Sequence, residues 1–110
     1  MFLKLADMAK LGQLYLNRGV WNGIRLVPEE WIDLATSWKI DTPKKNDIWR
    51  CGYGYQFWLC PYEGAYRADG MFGQITLVLP EKDMVIAFQC PEVGDYEAVK
   101  LAVHELVLSL

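Results

Sequence analysis

A chain of 110 residues has the size of one domain and can build only a modest core. Its net charge of −3, with Lys44-Lys45 as the only adjacent basic pair, argues against nucleic-acid binding, and no run of about 18 apolar residues offers a membrane span. Aromatic residues make up 14%, so many large rings must be buried or line a pocket or interface.

Residues 5–17, LADMAKLGQLYLN, read as a helix. Leu5, Met8, Leu11 or Gly12, and Tyr15 recur at helical spacing, and Asp7 suits the positive end of the helix dipole. Asn17-Arg18-Gly19 supplies the stop. The first ten residues carry Asp7 and lack a long apolar stretch, which is unlike a secretion signal, so the chain as written is expected in the cytoplasm. Asn22-Gly23, a pair that accepts positive φ, centres a small turn. A second helix is predicted over 28–36, with Pro28 at its first position and Glu29 and Glu30 loading its N-terminus. Residues 37–51 are polar and aperiodic and read as a loop.

The pattern then changes to strands, predicted at 53–60, 65–71, 74–80 and 84–90 with short turns between them. ITLVL and MVIAF are almost wholly apolar, as in strands covered on both faces. A last helix is predicted over 95–108, with Asp95 as its cap and Val99, Ala102, Val103 and Leu106 as its apolar stripe. The fold class is α+β: one domain over 1–110, with an antiparallel sheet of three to four strands flanked by N- and C-terminal helices.

The chain is poor in catalytic groups. Its serines are Ser37 and Ser109, and its one histidine, His104, lies near neither in any obvious way. Ser37-Trp38-Lys39 spells S-x-K, whose partners would diverge on a helix. Tyr15-Leu16-Asn17 spells Y-x-N, but Tyr15 belongs to the apolar stripe of the first helix and reads as core. Cys51, Cys60 and Cys90 are widely spaced and form no CxxC, so they read as reduced thiols with no metal site, and no cofactor is expected. A Cys90–His104 catalytic pair weighs less than a strand cysteine and a solvent-facing histidine. GMFG, residues 70–73, lacks the glycines and the Lys-Ser/Thr helix of a phosphate loop.

Taken in order, LADMAKLGQLYLNRGVWNGIRLVPEEWIDLAT, YGYQFWL and ADGMFGQITLVLPEKDMVIAF resemble the C-terminal part of the serine β-lactamase and penicillin-binding-protein-like hydrolases, most closely the class C-related branch of esterases, aminopeptidases and amide-oligomer hydrolases. The resemblance covers nearly all of the chain. It places the family's third motif, usually K-T-G or H-x-G, on Ala68-Asp69-Gly70, so Ala68 stands where a cation usually binds a β-lactam carboxylate. It implies that Ala68, Asp69, Gly70 and Met71 bind substrate. Gly70 would let the substrate lie against the strand, and the Met71 N–H would be one oxyanion donor. Gly73 would permit a bend before the apolar strand.

The family's S-x-x-K nucleophile and Y-x-N motif would precede residue 5, so no catalytic residue is assigned within the chain. The resemblance thus implies the last third of a hydrolase, inactive alone and able to act on a small ester or amide only when completed by an N-terminal part. Strand 84–90 would then be a bared apolar edge, and the sheet face that meets the missing half would be open. Self-association through that strand or by exchange of a helix is the expected partner interaction. The alternative is a stand-alone binding or assembly module that presents the open edge or the aromatic surface of strand 53–60. The aromatic set Trp49, Tyr53, Tyr55, Phe57 and Trp58 reads equally as a former pocket wall or as core.

Overall fold

The computed structural model of the chain describes residues 4–41, 51–70, 74–90 and 93–110. Helix α1 (Leu5–Leu16) comes first, then strands β1 (Val20–Trp21) and β2 (Ile24–Arg25), and helix α2 (Glu29–Ala35). Strands β3 (Trp58–Leu59), β4 (Tyr66–Gly70), β5 (Gln74–Leu79) and β6 (Met84–Gln89) follow, and helix α3 (Val93–Ser109) ends the chain. The fold is α+β. β1 and β2 pair as a small hairpin, and β3-β4-β5-β6 form an antiparallel sheet in chain order.

Turn chemistry sets the short connections. Asn22 and Gly23 both take positive φ, +50° and +78°, as a two-residue hairpin turn requires. Asp83, at φ +49°, closes the 3-10 turn Pro80–Lys82 between β5 and β6. Pro28 caps α2 from just outside it, one residue earlier than its expected place. Arg18, past the end of α1, ties the two helices together by ion pairs to Glu29 (3.3 Å) and to Asp33.

The sheet is covered on both faces. On one side α1 lies across β5 and β6. A Cβ on Gly12 would stand 2.7 Å from both Thr76 Cγ2 and Val85 Cγ1, so only glycine lets helix and sheet approach this closely. On the other side Val107 and Val103 of α3 pack on Ile75, Leu77, Leu79, Ile86 and Phe88. This corrects the expectation of an open sheet face. Among the described residues, β6 has one sheet neighbour, β5, and its outer edge pairs with none of them.

Three expected patterns are shifted. Met8 and Gly12 are the buried residues of α1, while Leu5 and Leu11 are exposed. α3 begins at Val93, so Asp95 lies inside it and does not cap it. Its buried positions are Lys100 and Val107, with Ala102 and Leu106 exposed. The helix is apolar around much of its circumference, so spacing alone cannot set its phase. The expected strand 53–60 shrinks to Trp58–Leu59 because the segment folds back on itself. Tyr53 bridges Trp58, and the Gly54 N–H donates to the Phe57 carbonyl at 2.7 Å. Gln56 takes φ +68° inside that turn.

Candidate active-site wall on strand β4

β4 pairs with β5 along its whole length, from Tyr66↔Val78 to Gly70↔Gln74. β3 meets it only at Leu59↔Tyr66 and Trp58↔Arg67. Ala68, Asp69 and Gly70 therefore run past the last β3 pair. The Cys60 N–H donates to the Ala65 carbonyl at 3.1 Å, which fixes the phase of the ladder. By antiparallel alternation, Tyr66, Ala68 and Gly70 aim their backbone groups at β5, and Arg67 and Asp69 aim theirs at the β3 side.

The expected site residues are not brought onto one face. Ala68 lies on the α1 face and packs against Tyr66, Val78, Phe57 and Ala35. Asp69 lies on the α3 face beside Arg67, whose Nε is 3.2 Å from Asp69 Oδ2. Gly70 ends the strand on Ala68's side. Met71 and Gly73 fall outside the described residues, as does Trp49.

Arg67 is the residue that sequence reading missed. Only 2% of its side chain is exposed, and the guanidinium lies 5.4 Å from the centre of the Trp58 ring. Its Nη1 donates to Cys60 Sγ at 3.6 Å. Burial alone would lower its pKa, but the Cys60 and Asp69 neighbours outweigh burial and raise it. Burial pushes the Cys60 thiol up to about 11, against the opposing pull of Arg67. A polar residue two places before Asp69 on a strand was the available signal, since i and i+2 share a face.

The aromatic set divides. Phe57 is core, 4.7 Å from Tyr15 and 5.5 Å from Tyr66 between ring centres. Tyr53 meets Trp58 edge-on at 4.9 Å. Tyr55 is 45% exposed and stacks on the equally exposed Trp31 at 5.7 Å, with Lys39 Nζ 5.2 Å from the centre of its ring. Trp31 and Tyr55 are thus surface rings on the α2 side, while the other described members of the set are at least half-buried.

The remaining candidates are engaged elsewhere. Ser37 and Lys39 do meet, at 2.6 Å, because α2 ends at Ala35 and the segment after it is not helical. This overturns the divergence expected of a helical S-x-K. The arrangement is still not that of a nucleophile and base, because Lys39 donates to Ser37 Oγ and the serine hydroxyl donates to the Leu34 carbonyl at 2.9 Å. Ser109 donates to the Leu106 carbonyl at 2.7 Å. His104 does not face solvent freely: its Nδ1 is 2.6 Å from the Tyr62 hydroxyl. Tyr15 packs among rings, and Asn17 ends α1 while accepting a bond from Gln13 at 2.8 Å. Among the described residues, no three His, Cys, Asp or Glu side chains are grouped to hold a metal, and no helix is long and apolar enough to cross a membrane. A cavity of about 340 Å³, lined by Tyr62, Glu63, Leu79, Lys82 and Val107, lies at the other end of the sheet from Gly70.

No protein-family model and no curated protein matches the chain. Solved structures do. One is described as "Putative 6-aminohexanoate-dimer hydrolase from Bacillus anthracis"; it is 25% identical, with a TM-score of 0.62 over 96% of this chain. The chain spans 29% of that protein's length. The neighbour is a hydrolase of the β-lactamase fold, and this chain is similar to one part of it.

Proposed function

We propose that the chain is the C-terminal portion of a serine acyl hydrolase of the β-lactamase-like superfamily, from the class C-related branch, and that β4 is one wall of its acyl site. The likeness to part of a hydrolase over 96% of the chain carries this reading. Two local features support it. β4 runs past β3 at Ala68–Gly70, as a strand that receives substrate along its backbone must. Gly70 at its end lets a substrate come close.

Ala68 shapes the substrate class. It carries no charge, and the nearest cation on the strand, Arg67, faces the opposite side and is held by Asp69 and Cys60. The wall therefore suits a neutral ester or amide better than a β-lactam carboxylate. The neighbour's printed name, a hydrolase of an aminohexanoate dimer, is consistent with an amide. Met71 supplies one oxyanion donor in this reading. The site residues are Ala68, Gly70 and Met71, with Asp69 acting through its bond to Arg67.

The chain alone lacks the nucleophile and is inactive. The test is turnover of a p-nitrophenyl ester by the purified chain, alone and mixed with a polypeptide carrying the S-x-x-K half. Turnover only on mixing supports the reading. Turnover by the chain alone that is lost in Ser37→Ala contradicts it. A second reading, an assembly module, is favoured by one observation: among the described residues β6 has a single sheet neighbour. Edge pairing of β6 with a second copy, or exchange of a helix, is its mechanism.

A further inference from the structure

We propose that Cys51 and Cys60 are a redox pair that closes into a disulfide across the 51–60 hairpin. The register of the hairpin brings the two together. The Gly54 N–H donates to Phe57 O at 2.7 Å, Tyr53 bridges Trp58, and the Leu59 N–H donates to Gly52 O at 2.9 Å. One step further from the turn, the same antiparallel count puts Cys51 opposite Cys60. In a regular ladder this count is a non-hydrogen-bonded position, for which the general Cα spacing is about 4.5 Å. A disulfide spans Cα separations of about 4.4–6.8 Å. Gly52, at φ +122°, ends the regular ladder here. Cys51 is nevertheless one of the neighbours that raise the Cys60 pKa, so the two side chains share a neighbourhood.

Neither thiol is in a disulfide, and the two are unequal. Cys51 is half-buried and Cys60 is buried, so Cys51 meets a small oxidant first. Its thiolate attacks a low-molecular-weight disulfide such as oxidised glutathione, forming a mixed disulfide and releasing one thiol. Cys60 then attacks Cys51 Sγ and expels the second thiol. Two cysteine thiols lose two electrons and two protons, and the small disulfide becomes two thiols. Burial raises the Cys60 pKa and slows this second step, while Arg67 beside Sγ favours the thiolate that performs it. Cys90 follows β6, three strand spacings of about 4.8 Å from β3 and at the opposite end of the ladder from Cys60.

The bond would staple the turn that carries Tyr53, Tyr55, Phe57 and Trp58 against β4. It would also take the Cys60 thiol away from Arg67. In a reducing compartment the pair stays a dithiol, and under oxidation it closes.

The test equilibrates the reduced chain in glutathione buffers of rising oxidised fraction. Acid quench, alkylation in denaturant and peptide mapping follow. The expected result is a product about 2 Da lighter than the reduced chain, with Cys51 linked to Cys60 and Cys90 alkylated. Cys90→Ser keeps the bond and Cys51→Ser abolishes it. A Cys90-containing disulfide, a persistent glutathione adduct on Cys51 with Cys60 free, or no oxidation in excess oxidised glutathione overturns the proposal. Mapping of the unsubstituted chain decides the matter if a variant fails to fold.

Discussion

Arg67 and Asp69 stand two residues apart on β4 and form a buried ion pair, Nε to Oδ2 at 3.2 Å, beneath the strand segment assigned to substrate. Asp69 is 17% exposed, so water screens the pair little. Removing the carboxylate from a buried guanidinium of this kind costs about 3 kcal/mol. Asp69→Leu should therefore lower the urea unfolding free energy by about 3 kcal/mol, while Arg67→Met/Asp69→Leu together should stay within about 1 kcal/mol of the parent. A cost for Asp69→Leu below about 1 kcal/mol would show that Arg67 does not depend on it.

Gly12 offers a contest between two effects. Alanine gains about 1 kcal/mol of helix propensity over glycine, but overpacking costs about 1–3 kcal/mol. The atoms that would be struck belong to Thr76 and Val85, both stiff at χ1 and anchored in strands. Packing should win: Gly12→Ala should melt below the parent, and Gly12→Val further below. A higher melting temperature for Gly12→Ala would mean that α1 is free to lift from the sheet.

The Cys60 thiol gives a pH signature. Its pKa rises from 9.0 to about 11 on folding, chiefly through burial. Between these values the unfolded chain has lost the proton and the folded chain has kept it, so stability falls as pH rises. The full effect is about 2–3 kcal/mol at about 1.4 kcal/mol per unit. Urea midpoints measured from pH 8 to about 11 should fall more steeply for the reduced parent than for Cys60→Ala. Parallel slopes would contradict a buried, protonated thiol.

The open edge of β6 predicts self-association. Alternation turns the backbone groups of Met84, Ile86 and Phe88 toward β5 and those of Val85 and Ala87 outward. Ile86 is a poor reporter, because it packs on the core with Ile75 and Leu77. Ala87→Pro removes an outward donor and leaves the β5 ladder intact. Sedimentation velocity should show an oligomer for the parent and a monomer for Ala87→Pro. A parent that stays monomeric as concentration rises would remove the edge-pairing reading.

Much of this architecture was legible in the chain because local rules decide it. Asn22-Gly23, Pro28 and the apolar runs at 75–79 and 84–88 each specify one local answer. The failures have physical causes. No propensity marks the reversal at Gly54–Phe57, which needs Gln56 in a positive-φ conformation that non-glycine residues rarely adopt. The phase of α3 is hidden by apolar residues on most of its sides. The contact between Ser37 and Lys39 depends on where α2 stops, and boundaries are the weakest part of any sequence reading. The pairing of Asp69 with Arg67 follows from strand alternation, yet it emerges only once the burial of Arg67 is known. The resemblance supplied the position of the proposed site, and the structure puts Ala68 and Asp69 on opposite faces of β4.

The central claim is that β4 is one wall of a larger acyl-hydrolase site. Its most direct test is the nucleotide sequence of the reading frame that contains the codon for Met1, read upstream. The account predicts a continuous frame that encodes S-x-x-K and then Y-x-N before residue 5. A stop codon or an unrelated sequence in that frame would contradict it and leave the assembly module as the better account.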